Sequence, residues 1–107
     1  MMKKRVLVVD DEPDIRELLT ITLEQMGLEV VTAAKLTKAR KLLESEEFDL
    51  CLTDMKMPDG NGLELVDHIQ ATVPHLPVAM ITAYGNMEIA VDALKKGAFD
   101  FISKPLQ

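Results

Sequence analysis

Five short apolar runs alternate with four stretches of helical spacing, and this alternation constrains the fold more than any other feature. Residues 5–10, Arg5-Val-Leu-Val-Val-Asp10, are almost continuously apolar, the pattern of a strand covered on both faces. Pro13 suits the first turn of a helix, and Ile15, Leu18, Leu19, Thr22, Leu23 and Met26 then keep helical spacing until Gly27 stops it. Leu28 to Ala33 is a second, Val-rich strand. Leu36, Ala39, Leu42 and Leu43 mark a second helix with Lys35, Lys38, Arg40 and Lys41 on its outer face. A third strand ends at Asp54, and Leu63, Val66 and Ile69 mark a third helix. Leu76 to Thr82 is the fourth strand. Met87, Ala90, Val91 and Leu94 mark a fourth helix ended by Gly97, and Ala98 to Ser103 is the fifth strand. Strands alternating with short helices imply an α/β fold, with parallel strands joined by right-handed crossovers.

At 107 residues the chain is one domain, long enough to bury roughly two-thirds of the surface its unfolded form exposes. Its hydrophobic share of 48% and charged share of 28% are those of an ordinary globular protein. A net charge of −6 argues against nucleic acid as a direct partner, since phosphate neutralisation needs clustered Lys and Arg. No apolar run approaches the ~20 residues of a membrane span. Met-Met-Lys-Lys-Arg has the charge of a signal peptide's first region, but Asp10 and Asp11 cut short the apolar run behind it. The lone Cys51 excludes an internal disulfide, fits a reducing cytoplasm, and reads as a small buried hydrophobe inside its strand.

The strand ends carry the chemistry. A carboxylate at the carboxyl end of a buried strand opens onto the crevice where open α/β sheets bind ligands. Strand one ends in Asp10, followed by Asp11, Glu12 and Pro13. Strand three ends in Asp54, followed by a Pro/Gly-rich turn through Pro58, Gly60 and Gly62. Strand four ends in Thr82 and strand five leads into Lys104-Pro105. If strands one and three are neighbours, Asp10, Asp11 and Asp54 converge. At an effective dielectric of 20, each carboxylate pair ~4 Å apart costs about 4 kcal/mol. A hard cation relieves this, and Mg²⁺ suits a site of a few carboxylates, waters and phosphate oxygens.

A carboxylate can also attack phosphorus to give an aspartyl phosphate. Asp54 is best placed for that, because it stands alone on its strand while the adjacent pair can hold the metal. Lys104 supplies a second cation for the phosphoryl oxygens, Thr82 a hydroxyl, and the small Ala83 room for their approach. A lone Asp at a strand end reads more simply as a cap or a solvated acid, and a lone Lys as a solvated cation; the whole set does not. The X–Pro bond at Pro105 can be cis and fix a sharp turn. His68 and His75 lack ligand partners. Asp59-Gly60-Asn61-Gly62 echoes calcium-loop composition without the ligand spacing or the terminal Glu.

Together, Asp10-Asp11, Asp54 with Pro58 and Gly62, Thr82-Ala83 and Lys104-Pro105 resemble the receiver domain of two-component response regulators. Ile81-Thr-Ala-Tyr-Gly-Asn86 and Lys96-Gly-Ala-Phe-Asp-Phe-Ile-Ser-Lys-Pro105 are similar to receivers of the NtrC class, which belong to activators of sigma-54 RNA polymerase. The resemblance implies a flavodoxin-like, doubly wound parallel five-stranded sheet of order 2-1-3-4-5. It implies that Asp54 is the phosphoacceptor, served by a sensor histidine kinase. Asp10 and Asp11 would be Mg²⁺ acids, Lys56 the donor of a backbone carbonyl to the metal, Thr82 and Lys104 phosphoryl ligands, and Phe101 the switch aromatic. It further implies output ATPase and DNA-binding domains outside this chain, and a regulatory domain that is not an enzyme beyond forming and losing its own aspartyl phosphate.

A rival reading is an aspartate-dependent phosphohydrolase of similar topology, which wants Asp-x-Asp after a strand. Here Lys56 stands two places after Asp54, and there is no cap insertion. A flavin-binding module needs a glycine- and hydroxyl-rich loop where this chain has Asp-Asp-Glu. Five strands with four helices are one helix short of a doubly wound count, so the reading is of a receiver over residues 1–107 truncated after its fifth strand. One sheet face should then be partly uncovered. Strand five would contribute alternate residues from among Ala98, Phe99, Phe101 and Ile102, with neighbours on strands one and four and on helix one, and self-association through that face is expected.

Overall fold

The computed structural model describes residues 3–83 and 87–104. Tyr84 to Asn86 and the expected turn at Pro105 lie outside the described residues. The elements run in the order β1 (Arg5–Val9), α1 (Pro13–Gln25), β2 (Glu29–Ala33), α2 (Leu36–Ser45), β3 (Leu50–Asp54), β4 (Lys56–Met57), β5 (Gly60–Asn61), α3 (Gly62–Thr72), β6 (Val78–Thr82), α4 (Met87–Lys96) and β7 (Asp100–Ser103). Five strands form one sheet in the order β2-β1-β3-β6-β7, all pairs parallel. Counting only those strands, this is the order 2-1-3-4-5. The short β4 and β5 pair with each other as a separate hairpin around Pro58-Asp59, which the apolar pattern alone did not reveal.

Strand alternation sorts the core into two layers. Leu7, Val9, Cys51, Val78 and Met80 face one way and pack with Leu36, Ala39 and Leu43 of α2, Leu65, Val66 and Ile69 of α3, and Ala93 of α4. Val6, Val8, Leu52, Ala79 and Ile81 face the other way, against Leu19 and Leu23 of α1. Leu7, Leu36, Leu65, Ile69 and Met80 are fully buried, and truncating any of them to Ala should cost about 2–5 kcal/mol. Gly27 turns the chain out of α1 at φ +85°, a conformation other residues adopt only with strain.

The open face matches the expectation only in part. Phe99 is 58% exposed, and Ile102 on β7 and Leu18 and Ile21 on α1 are also exposed. The α1 helix has no buried residue at all. Val6, Val8, Ala79 and Ile81 are nonetheless buried, contrary to expectation, because Leu19, Leu23, Leu28, Val30 and Leu50 close over them. Ala98 is buried too, and Phe101 is half-buried, because both pack into the larger layer beside α4.

Candidate functional site: an acidic cleft at the carboxyl edge of the sheet

The register brings the chemical residues to one edge. Val9 pairs with Thr53, so Asp10 and Asp54 emerge side by side from adjacent strands. Asp54 in turn pairs with Ile81, and Thr82 with Ser103, which places Lys104 one step past the end of β7. The Lys104 N–H donates to the Thr82 carbonyl at 2.9 Å, extending the ladder and fixing where the lysine side chain starts.

Each acid is held by its own backbone surroundings. The Asp10 N–H donates to the Ala33 carbonyl at 3.0 Å, and the Asp10 Oδ1 accepts the Glu12 N–H at 2.9 Å. Arg16 Nη1 donates to the Asp10 carbonyl at 2.9 Å, tying α1 to the end of β1. The Asp54 Oδ1 accepts the Met55 N–H at 2.7 Å. Gly62, the first residue of α3, lies against the Asp54 peptide, and its N–H donates to the Met55 carbonyl at 2.5 Å. A Cβ there would overlap the Asp54 carbonyl oxygen, so this position demands glycine.

Lys104 Nζ closes the arrangement. It lies 2.9 Å from Asp10 Oδ2, 3.2 Å from Asp54 Oδ2 and 3.4 Å from Glu12 Oε1, with a side chain only 7% exposed. Asp10 and Asp54 are themselves buried. Burial pushes the Asp10 carboxyl above its ordinary range, helped by the charge of Asp54 and opposed by the Glu12 N–H and Lys104. For Lys104, burial alone would lower the pKa, but the hydrogen bond and charge of Asp10 and the charge of Asp54 outweigh it, so the net shift is upward. Among the described residues, three carboxylates therefore converge on the Lys104 ammonium.

Asp10, Glu12 and Asp54 can each offer an oxygen within 4.8 Å of the others, a hard-donor set that fits a divalent cation. The expected pair was Asp10 and Asp11. Asp11 is exposed on the rim of a cleft of about 280 Å³ that Glu12, Asp54, Lys56, Met57 and Pro58 also line. Glu12 enters the cluster because its backbone is extended (φ −84°, ψ 116°), so residues 10 and 12 share a side. The Asp10-x-Glu12 spacing carried that signal. Thr82 is fully buried one register step past the partner of Asp54, and Ala83 beside it is exposed. Lys56 is exposed at the start of the hairpin. Phe101 pairs with Met80 and packs, half-buried, against the core layer that includes Ala93 of α4.

Residues 6–107 match the response regulator receiver domain family. The chain belongs to that family. Among receiver-bearing relatives, the response regulator protein PilR of Pseudomonas aeruginosa is 58% identical over 106 residues, which are 99% of this chain and 24% of the relative. The receiver thus spans about a quarter of the length of that curated relative. The beryllofluoride-activated NtrC4 receiver domain dimer is 41% identical with a TM-score of 0.92, over 96% of this receiver and 85% of that chain. The response regulator TrrA of Thermotoga maritima, solved in complex with Mg²⁺–BeF, is 35% identical with a TM-score of 0.87, over 97% and 89% of the two chains. This receiver accordingly belongs to two-component signalling, with relatives among NtrC-class regulators.

Proposed function

We propose that this receiver is a phosphorylation-dependent switch that takes a phosphoryl group from a sensor histidine kinase onto Asp54, with Mg²⁺ bound beside it. Its phosphorylated form regulates an output domain, transcriptional in kind, outside these residues, in the cytoplasm. The observation that carries this reading is the buried Lys104 ammonium shared by Asp10 and Asp54 at the sheet edge, with Glu12 within reach of the same cation and of both acids. A purely structural ion pair needs one acid per cation; among the described residues three acids gather at Lys104. The Mg²⁺–BeF complex of TrrA supports the same assignment.

Asp10, Asp11 and Asp54 would hold the metal with the Lys56 carbonyl, and Glu12 joins them. When bound, Mg²⁺ supplies positive charge for the phosphoryl oxygens. An Asp54 carboxylate oxygen attacks phosphorus. The O–P bond forms as the P–N bond of a phosphohistidine breaks, and the departing imidazole keeps the electron pair. Lys104 then moves with the new charge, exchanging its contact with Asp54 for a phosphoryl oxygen. Thr82 donates its hydroxyl from the end of β6, Ala83 leaves the approach open, and Phe101 reports the change through β7. Stoichiometric label that is acid-stable and alkali-labile supports this function; continuous turnover of a phosphomonoester would support a hydrolase instead.

A further inference from the structure

The Asp59-Gly60-Asn61-Gly62 turn has a use that calcium-loop composition does not explain. The α2 helix begins without a local cap: Lys35 precedes it and makes no side-chain capping bond. The first backbone N–H groups of a helix have no partner within it and must find one elsewhere. Here the partner comes from 23 residues away. Asp59 Oδ1 accepts the Leu36 N–H at 2.9 Å, and Oδ2 accepts the Thr37 N–H at 3.0 Å. Asp59 is exposed; the slight desolvation it meets would raise its pKa, but these N–H groups and the Thr37 side chain outweigh it and hold the carboxyl below its ordinary range.

Asp59 sits at the tip of the β4–β5 hairpin, whose strands begin two residues after Asp54. The hairpin base is fixed separately. Asn61 accepts the Leu63 N–H at 2.8 Å and Glu64 accepts the Asn61 N–H at 2.9 Å, a capping box at the start of α3. Gly62 is bonded to the Met55 carbonyl. The hairpin therefore spans from α2 at its tip to α3 at its base, and Lys56 and Met57 lie between the two anchors. Between tip and base, the buried Met57 packs into the core, a side chain flexible enough to adapt if the tip shifts.

We infer that Asp59 is a positioning residue: by capping α2 it clamps the hairpin that aims the Asp54 carboxylate and the Lys56 carbonyl at the metal cleft. The clamp itself stands on geometry, and its role in metal binding rests on the functional reading above. The test compares the wild-type chain with Asp59→Ala, Asp59→Asn and Lys41→Gly. Lys41 is exposed on α2, so its replacement weakens that helix without touching the hairpin. Amide hydrogen exchange, measured without metal or phosphate, reads the clamp at Met55 and Gly62. Loss of a cap predicts about tenfold faster exchange there and at Leu36 and Thr37 in Asp59→Ala. Asp59→Asn, which keeps one acceptor oxygen, should lie between, and Lys41→Gly should leave Met55 and Gly62 unchanged. Calorimetric titration with MgCl₂ should show roughly three- to tenfold weaker binding in Asp59→Ala, about the effect expected of an outer-shell residue. Unchanged exchange at Met55 and Gly62 in Asp59→Ala, or equal acceleration in Lys41→Gly, would reduce Asp59 to a helix cap and overturn the inference. Responsive amides with no Mg²⁺ binding in the wild type would keep the clamp and overturn the functional reading it serves.

Discussion

Gly62→Ala is the substitution whose outcome the structure specifies most sharply. Within a helix, Ala is ordinarily an improvement over Gly, worth about 0.5–1 kcal/mol at an interior position and at most that at the first. Here the added Cβ would lie 3.0 Å from both the Asp54 carbonyl carbon and the Met55 Cα, and closer still to the Asp54 oxygen. Those atoms are backbone, so no flexible side chain can swing away. Overpacking of this kind costs about 1–3 kcal/mol, which leaves a net loss of up to about 2.5 kcal/mol. For a domain near 100 residues that is a fall in melting temperature of up to about 15 °C. The strain falls on the peptide that carries the proposed phosphoacceptor, so labelling by acetyl phosphate should slow more than stability predicts. Gly27→Ala is the control: its φ of +85° strains any side chain, yet nothing lies within 4 Å of the new Cβ. It should lower the melting temperature by a comparable amount, at about 1–2 kcal/mol for a left-handed residue, and leave labelling alone. Gly62→Ala that melts at or above wild type, followed by circular dichroism, would refute the close-approach argument.

The remaining expectations concern charge and burial. Glu12→Gln should weaken Mg²⁺ binding if Glu12 belongs to the cluster, and Asp11→Asn should weaken it if the rim acid contributes; paired calorimetric titrations rank the two, and either change should leave metal-free stability unchanged or raised, since it relieves repulsion. Cys51 is fully buried and burial pushes its thiol up to about 12, so it should resist alkylation at pH 8 in native buffer and react promptly in denaturant. The pKa of Lys104 is raised in the folded state, so its ion pairs stabilise fully below the unfolded lysine value of about 10.4 and are lost as pH rises through the folded value. Lys104→Met should accordingly flatten the alkaline limb of stability against pH; identical limbs in the two proteins would remove Lys104 from the network.

The architecture was legible because local and global signals agree. Continuous apolar strands, Pro13 near a helix start, and Gly27 and Gly97 at helix ends each point to the same parallel fold. Asp10, Asp54 and Lys104 were legible as one site because strand ends on one edge converge whatever the details of packing. The parts that escaped depend on reach or on distance in sequence. Glu12 joins the cluster through the extended turn before α1, which apolar periodicity does not register. Asp59 caps a helix 23 residues earlier, and no local motif at Lys35 announces it. Nor does a helix count reveal that α1, with no residue of its own buried, still seals Val6, Val8, Ala79 and Ile81 beneath Leu19 and Leu23.

Intact-mass spectrometry after incubation with acetyl phosphate reads phosphorylation of Asp54 without any downstream partner. The wild-type chain should gain one phosphoryl group in MgCl₂ and none in excess EDTA, and Asp54→Asn none under either condition. Labelling that persists in Asp54→Asn, or proceeds at the same rate with the metal chelated, would contradict the proposed function.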